Sequence, residues 1–187
     1  MSGSSSRRSY ADVARGIEII CFSGIEYEHI PILGDGNCLF RALSFWIHGT
    51  EEEHCLVRKG IVSFVCQNWS RFSEHVALCY SGCVTALQYS RFMGKQREFG
   101  GQLEILVASE IYKRPVLIYN RSSKSFISEN VSSSNESPFV LWYDFAAQHY
   151  EVLRPEPDIS CQRRRYDEWA HVPLPQRQQQ RQQQQQQ

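Results

Sequence analysis

Cys38 follows the turn-forming run Gly34-Asp35-Gly36-Asn37 and precedes Leu39, Ala42, Leu43, Trp46 and Ile47 at helical spacing. A cysteine so placed opens a helix, where unpaired backbone N–H groups and the helix dipole favour an anion and lower the pKa of a thiol. The thiolate is a nucleophile, and the Asp-Gly-Asn turn can aim backbone amides at one point, as a hole for a developing oxyanion requires. Packing is the competing explanation, because free cysteine is mostly a small apolar core residue. Nucleophilic chemistry at Cys38 therefore requires a base supplied from elsewhere in the chain.

His149 is the candidate base. It begins a predicted strand, and period-two alternation sets His149, Glu151 and Leu153 on one face with Tyr150 and Val152 on the other. A carboxylate two residues on can accept the Nδ1 proton of the histidine, which leaves Nε2 pointing outward as the base. The other histidines, His29, His48, His54, His75 and His171, have no such acid along a predicted strand and are expected to be solvated or satisfied polar residues. Cys79 and Cys83 can share a helical face, but His75 is the only near third ligand, so no zinc site is expected.

The elements that must position this pair fit one domain and a tail within 187 residues. Twenty Lys plus Arg balance twenty Asp plus Glu, so no overall field recruits nucleic acid or an acidic membrane. The seven cysteines form an odd set without a CxxC pair, and the N-terminus lacks a signal-peptide apolar core. Both point to reduced thiols in the cytoplasm or nucleus, and no apolar run approaches the length of a membrane span.

Along the chain, residues 1–16 form an extension that is disordered or partly helical, with a short helix over Tyr10–Arg15. Ile17–Phe22 reads as a strand or packing segment, and Glu26–Leu33 stays extended into the glycine turn. The Cys38 helix runs to Ile47 and stops at Gly49; Thr50-Glu51-Glu52-Glu53 has the capping-box pattern of a second helix with Leu56, Ile61, Phe64 and Val65 as its apolar stripe. Shorter helical pieces over Ser70–Val84 break at Ser81-Gly82, another helix runs from Val84 to Phe92, and Gln102–Tyr112 is a buried helix. Strands follow at Pro115–Tyr119, Phe126–Ile127, Phe139–Tyr143 and His149–Leu153. Helices first and strands later give a mixed α/β layered domain over residues 17–155, a small sheet of late strands packed between helices. Residues 156–187 are a low-complexity Arg/Gln-rich tail.

The run Gly34-Asp35-Gly36-Asn37-Cys38-Leu39-Phe40-Arg41-Ala42 closely resembles the catalytic-cysteine motif of ovarian-tumour (OTU) domain cysteine proteases, and His149-Tyr150-Glu151-Val152 resembles their closing histidine motif. The resemblance covers residues 28–154. It implies an OTU-like cysteine-protease fold and a thiol-dependent deubiquitinase acting at the C-terminus of ubiquitin, with Cys38 as nucleophile and His149 as base and then acid. It further implies that Asp35 shapes the turn and that Gly36, Asn37 and the Cys38 amide line the oxyanion hole. Ubiquitin or polyubiquitin, ubiquitin-like modifiers and ubiquitinated proteins are the implied partners, without nucleic acid, membrane, metal or cofactor, and with the enzyme a monomer.

The chain departs from the family pattern at two places. Phe99-Gly100 stands where Trp-Gly is common, and Glu151 stands where Asp or Asn is more usual. The second departure leaves open whether Glu151 or Asp35 orients His149, and it keeps a ubiquitin-binding module with impaired catalysis as an alternative. A protease derived from a polyprotein or mobile element is another.

Overall fold

Strands form where β-branched and aromatic residues concentrate. They are β1 (Ile19–Phe22), β2 (Ile25–Ile30), β3 (Val116–Asn120), β4 (Ser125–Glu129), β5 (Phe139–Asp144) and β6 (His149–Pro155). Between β2 and β3 lie α1 (Cys38–His48), α2 (His54–Gln67), α3 (Trp69–Cys79), α4 (Ala86–Met93) and α5 (Gln102–Tyr112). The structure is a computed structural model that describes residues 19–22, 25–129 and 136–155. The expected Tyr10–Arg15 helix and the Arg/Gln-rich tail lie outside the described residues. The chain divides into units 1–154 and 155–187; only Pro155 of the second is described, and the fold is that of the first.

The six strands make one sheet in the order β1-β2-β6-β5-β3-β4. Neighbours run antiparallel at β1–β2, β3–β4 and β5–β6 and parallel at β3–β5. The β5–β6 register sets Trp142 opposite Glu151 and Asp144 opposite His149. A sheet of late strands only is therefore corrected: the early hairpin β1–β2 joins it, and β2 lies beside β6. Nothing in local sequence says which strand the free edge of a hairpin will meet, yet this pairing brings residues 25–30 to the strand that carries His149.

Alternation along the strands separates two cores. Val116, Phe139, Leu141 and Val152 join the main cluster with Leu39, Phe40, Leu43, Ile61, Val65 and Leu103 of the helices. Ile20, Tyr27, Val140, Trp142 and Leu153 build a smaller cluster from strand residues.

Helix α1 ends as expected at Gly49, whose N–H bonds the Phe45 carbonyl at 2.9 Å. Helix α2 begins later than the capping-box pattern suggests. The Thr50 hydroxyl accepts from the Glu52 amide at 3.3 Å, and the Thr50 carbonyl accepts the Ser44 hydroxyl at 2.6 Å, so Thr50 closes a turn and does not cap the helix. The buried face is consequently Val57, Ile61, Val62 and Val65 with His54 and Arg58, while Leu56, expected in the stripe, is 60% exposed. Helix α3 is continuous, and α4 starts at Ala86 with the Thr85 hydroxyl accepting the Gln88 amide at 3.2 Å. Helix α5 spans the expected residues and is buried, and Glu104 is fully enclosed within it. Among the described residues no helix is long and apolar enough to cross a membrane.

Candidate active site

Cys38 is the first residue of α1 and 3% exposed. The turn before it is held by Asp35, whose Oδ1 accepts the Asn37 amide at 3.0 Å and whose Oδ2 accepts the Asn37 side-chain amide at 3.0 Å and Arg41 Nη2 at 2.7 Å. Hydrogen bonding from Arg41 holds the Asp35 carboxyl well below the usual range, against the opposing effect of burial. Arg41 lies on the first turn of α1, so the carboxylate clips the turn to the helix that presents the thiol. Asp35 therefore faces Arg41, and the acid beside His149 is Glu151.

Asn37 does not face the cleft as the oxyanion expectation supposed. Its amide is taken by Asp35, and its side-chain oxygen accepts Arg58 Nη2 at 2.9 Å and the Arg97 amide at 2.9 Å. Arg58 is buried on α2, stacks over Phe40 at 3.8 Å, and also donates to the Met93 and Glu98 carbonyls at 3.0 and 2.9 Å. Asn37 is thus the point where α2 and the 93–98 segment grip the cysteine turn. Gly36 lies at φ +84°, and a methyl group there would come within 2.6 Å of the Arg97 carbonyl, so both backbone and space demand glycine.

Burial pushes the Cys38 thiol up, and the Asp35 charge adds to this; the amides of Tyr150, Leu39 and Cys38 itself pull the other way without overcoming it. The helix start acts in the expected direction but does not by itself supply a thiolate. A proton acceptor is required.

His149 shares with Cys38 a cleft of about 280 Å³ lined also by Gly34, Gly36, Phe99, Ala147 and Gln148. The ring is turned opposite to the sequence expectation. Its Nε2 lies 3.0 Å from the Ile32 carbonyl, which can only accept, so Nε2 carries the proton. Glu151 Oε1 lies 3.5 Å from the same nitrogen. Nδ1 is then the unprotonated nitrogen, with no hydrogen-bond partner among the described residues, and it lies near the turn: a methyl group added at Gly34 would sit 3.5 Å from Cε1 and 3.8 Å from Nδ1. The inward anchor is a carbonyl 117 residues away in the chain, which strand alternation could not reveal.

Glu151 is held on both sides. Its Oε1 accepts the Ile32 amide at 3.4 Å, and its Oε2 accepts from Nε2 of His29, a residue expected from the sequence to be solvated or a satisfied polar residue with no part in the site. Burial alone would raise this carboxyl; the His29 bond and charge, the Ile32 amide and His149 outweigh it and hold the group below its ordinary value. Phe99, 56% exposed, lines both this cleft and a neighbouring one of about 350 Å³ with Tyr80, Gly101, Tyr143 and Tyr150.

Residues 33–150 match the family model described as OTU-like cysteine protease. The chain is 26% identical over 144 residues to OVARIAN TUMOR DOMAIN-containing deubiquitinating enzyme 10 of Arabidopsis thaliana, covering 75% of this chain and 39% of that protein. With enzyme 6 of the same series and plant it is 30% identical over 128 residues, covering 68% of this chain and 24% of that one. It spans well under half the length of either relative. Among solved structures, the viral OTU domain protease from Dera Ghazi Khan virus aligns with a TM-score of 0.60 at 18% identity, covering 75% of this chain and 96% of that chain. An ovarian tumour domain solved in complex with ubiquitin gives 0.60 at 19% identity, covering 73% and 75%. The structural likeness carries the fold, and the family model runs unbroken from the Cys38 turn through His149 over more than half of the sequence, so the chain belongs to the OTU-like cysteine protease family.

Proposed function

We propose that this protein is a thiol-dependent deubiquitinase in which Cys38 is the nucleophile and His149 the general base. The observation that carries the reading is the shared cleft, with the thiol at a helix start on one wall and an imidazole on the other whose Nε2 is pinned inward and whose Nδ1 is left free. His149 Nδ1 takes the thiol proton, and the sulfur attacks the carbonyl carbon of the ubiquitin C-terminal glycine. The oxyanion forms beside the Cys38 amide and Gly36. The C–N bond then breaks, His149 gives its proton to the leaving lysine amine, and a water deprotonated by His149 hydrolyses the thioester to return the thiol.

Because burial keeps the thiol protonated, the thiolate arises by transfer to His149 and not from the helix end alone. Glu151, beside Nε2, stabilises the imidazolium so formed. Ubiquitin as the modifier is supported by the relatives named as deubiquitinating enzymes and by the related domain solved with ubiquitin.

A ubiquitin probe with a C-terminal electrophile tests the reading. Covalent labelling is expected at Cys38 alone, lost in Cys38→Ala and His149→Ala. Labelling at Cys55 or Cys79, or cleavage of di-ubiquitin by Cys38→Ala, would refute the assignment.

A further inference from the structure

Glu151 is one methylene longer than an aspartate at its place, and a free glutamate on a strand has three torsions to lose before it can support a neighbour. Here its two oxygens are divided between two histidines. Oε1 stands 3.5 Å from His149 Nε2, and Oε2 is bonded by His29 Nε2. A carboxylate only accepts, so His29 Nε2 carries the proton of that bond. The His29 ring is itself fixed, stacked on Trp142 with centroids 4.0 Å apart and planes 15° from parallel. Trp142 is buried, and it stands directly opposite Glu151 across the β5–β6 ladder. A rigid series therefore runs from the Trp142 wall through the His29 ring to Glu151 and on to His149.

We propose that His29 is a positioning residue for the Cys38–His149 pair, acting through Glu151: it fixes the long carboxylate in the one arrangement that reaches the imidazole. The inference rests on the reading of Cys38 and His149 as the reactive pair. It gives the early hairpin β1–β2 a part in the chemistry, since β2 is the strand that carries His29 to the edge of β6. Among the described residues the charged and titratable groups near His149 are Cys38 across the cleft, Glu151 and Tyr150 on its own strand, and Tyr143 and Asp144 on β5, the last engaged by Arg121. Only Glu151 among them is shared with His29.

The test uses the full chain and a readout that needs no ubiquitin, the rate of iodoacetamide alkylation at Cys38 read by peptide mass spectrometry. His29→Phe keeps a ring on Trp142 and removes the donor; His29→Gln keeps a donor. In His29→Phe alkylation at neutral pH is expected to slow by about tenfold, with His29→Gln within about threefold of the unsubstituted chain. His29→Ala, which adds no bulk, carries the same expectation as His29→Phe should the latter fail to fold. Adding His29→Phe to Glu151→Gln should slow alkylation no further than Glu151→Gln alone. An unchanged alkylation rate in His29→Phe, a loss in His29→Gln as large as in His29→Phe, or additive losses in the double variant, would overturn the proposal. Cys38 that alkylates as expected in a chain inert toward ubiquitin would refute the proposed substrate and leave the role of His29 standing.

Discussion

Glu151→Gln keeps the shape of the side chain and removes the charge that faces His149 Nε2 at 3.5 Å. It is expected to lower kcat for di-ubiquitin cleavage by about 10- to 1,000-fold with KM little changed, because in the proposed reaction that charge steadies the imidazolium formed on the path and binds no part of the substrate. Steady-state kinetics decide it, and a wild-type kcat would remove Glu151 from the site. Asp35→Asn acts differently, since Asp35 holds the turn to Arg41. Its carboxyl is depressed in the folded state, so its contribution to stability is complete above the ordinary carboxylate range and is lost as pH falls through the folded value. The substitution should cost about 2 kcal/mol at neutral pH and much less in strong acid, measured by urea unfolding at both. The residues legible in the sequence were those with local signals: the glycine turn before Cys38, and the acid two places after His149. His29 meets Glu151 across 122 positions and Arg58 meets Asn37 across 21, and neither pairing leaves a mark in either segment alone.

The same division holds for the elements. Helix α5 was legible to the residue because Gly101 and Lys113 bound an apolar run, and Glu104 at its third position accepts the Gly101 amide at 2.7 Å. The start of α2 was misplaced because the Thr50 hydroxyl serves a turn instead. Glu104 also accepts the hydroxyls of Tyr80 and, at 2.8 Å, Tyr89, and burial pushes its carboxyl up, so the charged form is costly as pH rises. A carboxyl raised on folding adds stability at low pH that is lost as pH climbs through the folded value. Glu104→Gln keeps an acceptor for Gly101 and Tyr80 and a donor toward Tyr89, and should remove that pH dependence without unfolding the protein. Glu104→Leu strands three polar groups and should cost at least about 3 kcal/mol, read by urea unfolding. Next to this cap, Gly100 lies against the helix that opens with Cys38: a methyl group would lie 2.8 Å from Leu39 Cδ2 and 2.8 Å from Phe40 Cζ. Gly100→Ala should cost about 1–3 kcal/mol and slow probe labelling, because the first turn of α1 must shift.

For the molecule as a whole, the groups that support His149 lie outside the residues the family model encloses, although Cys38 and His149 lie within them. That match covers residues 33–150, whereas the Ile32 carbonyl that fixes His149, the Glu151 carboxylate and His29 all fall outside it. Leu153, fully buried with Ile20, Tyr27, Val140 and Trp142, also lies beyond it, so a chain cut at those limits loses the second core together with the support of the imidazole. The strand order explains why: β2 and β6 are distant in sequence and adjacent in the sheet, and both ends of the domain meet at His149. From Gln176 onward the sequence holds no apolar residue to offer a core. Two fragments should therefore behave oppositely. Residues 19–155 are expected to fold and to label with the ubiquitin probe within about threefold of the full chain. Residues 33–150 are expected to lose labelling by at least about 100-fold, or to fail to fold, because they lack both anchors of His149. Circular dichroism with timed probe labelling of the two fragments checks this. A folded and active 33–150 fragment would mean that Ile32, Glu151 and β2 are dispensable to the site, and a folded but inert 19–155 fragment would mean that residues beyond these limits belong to it.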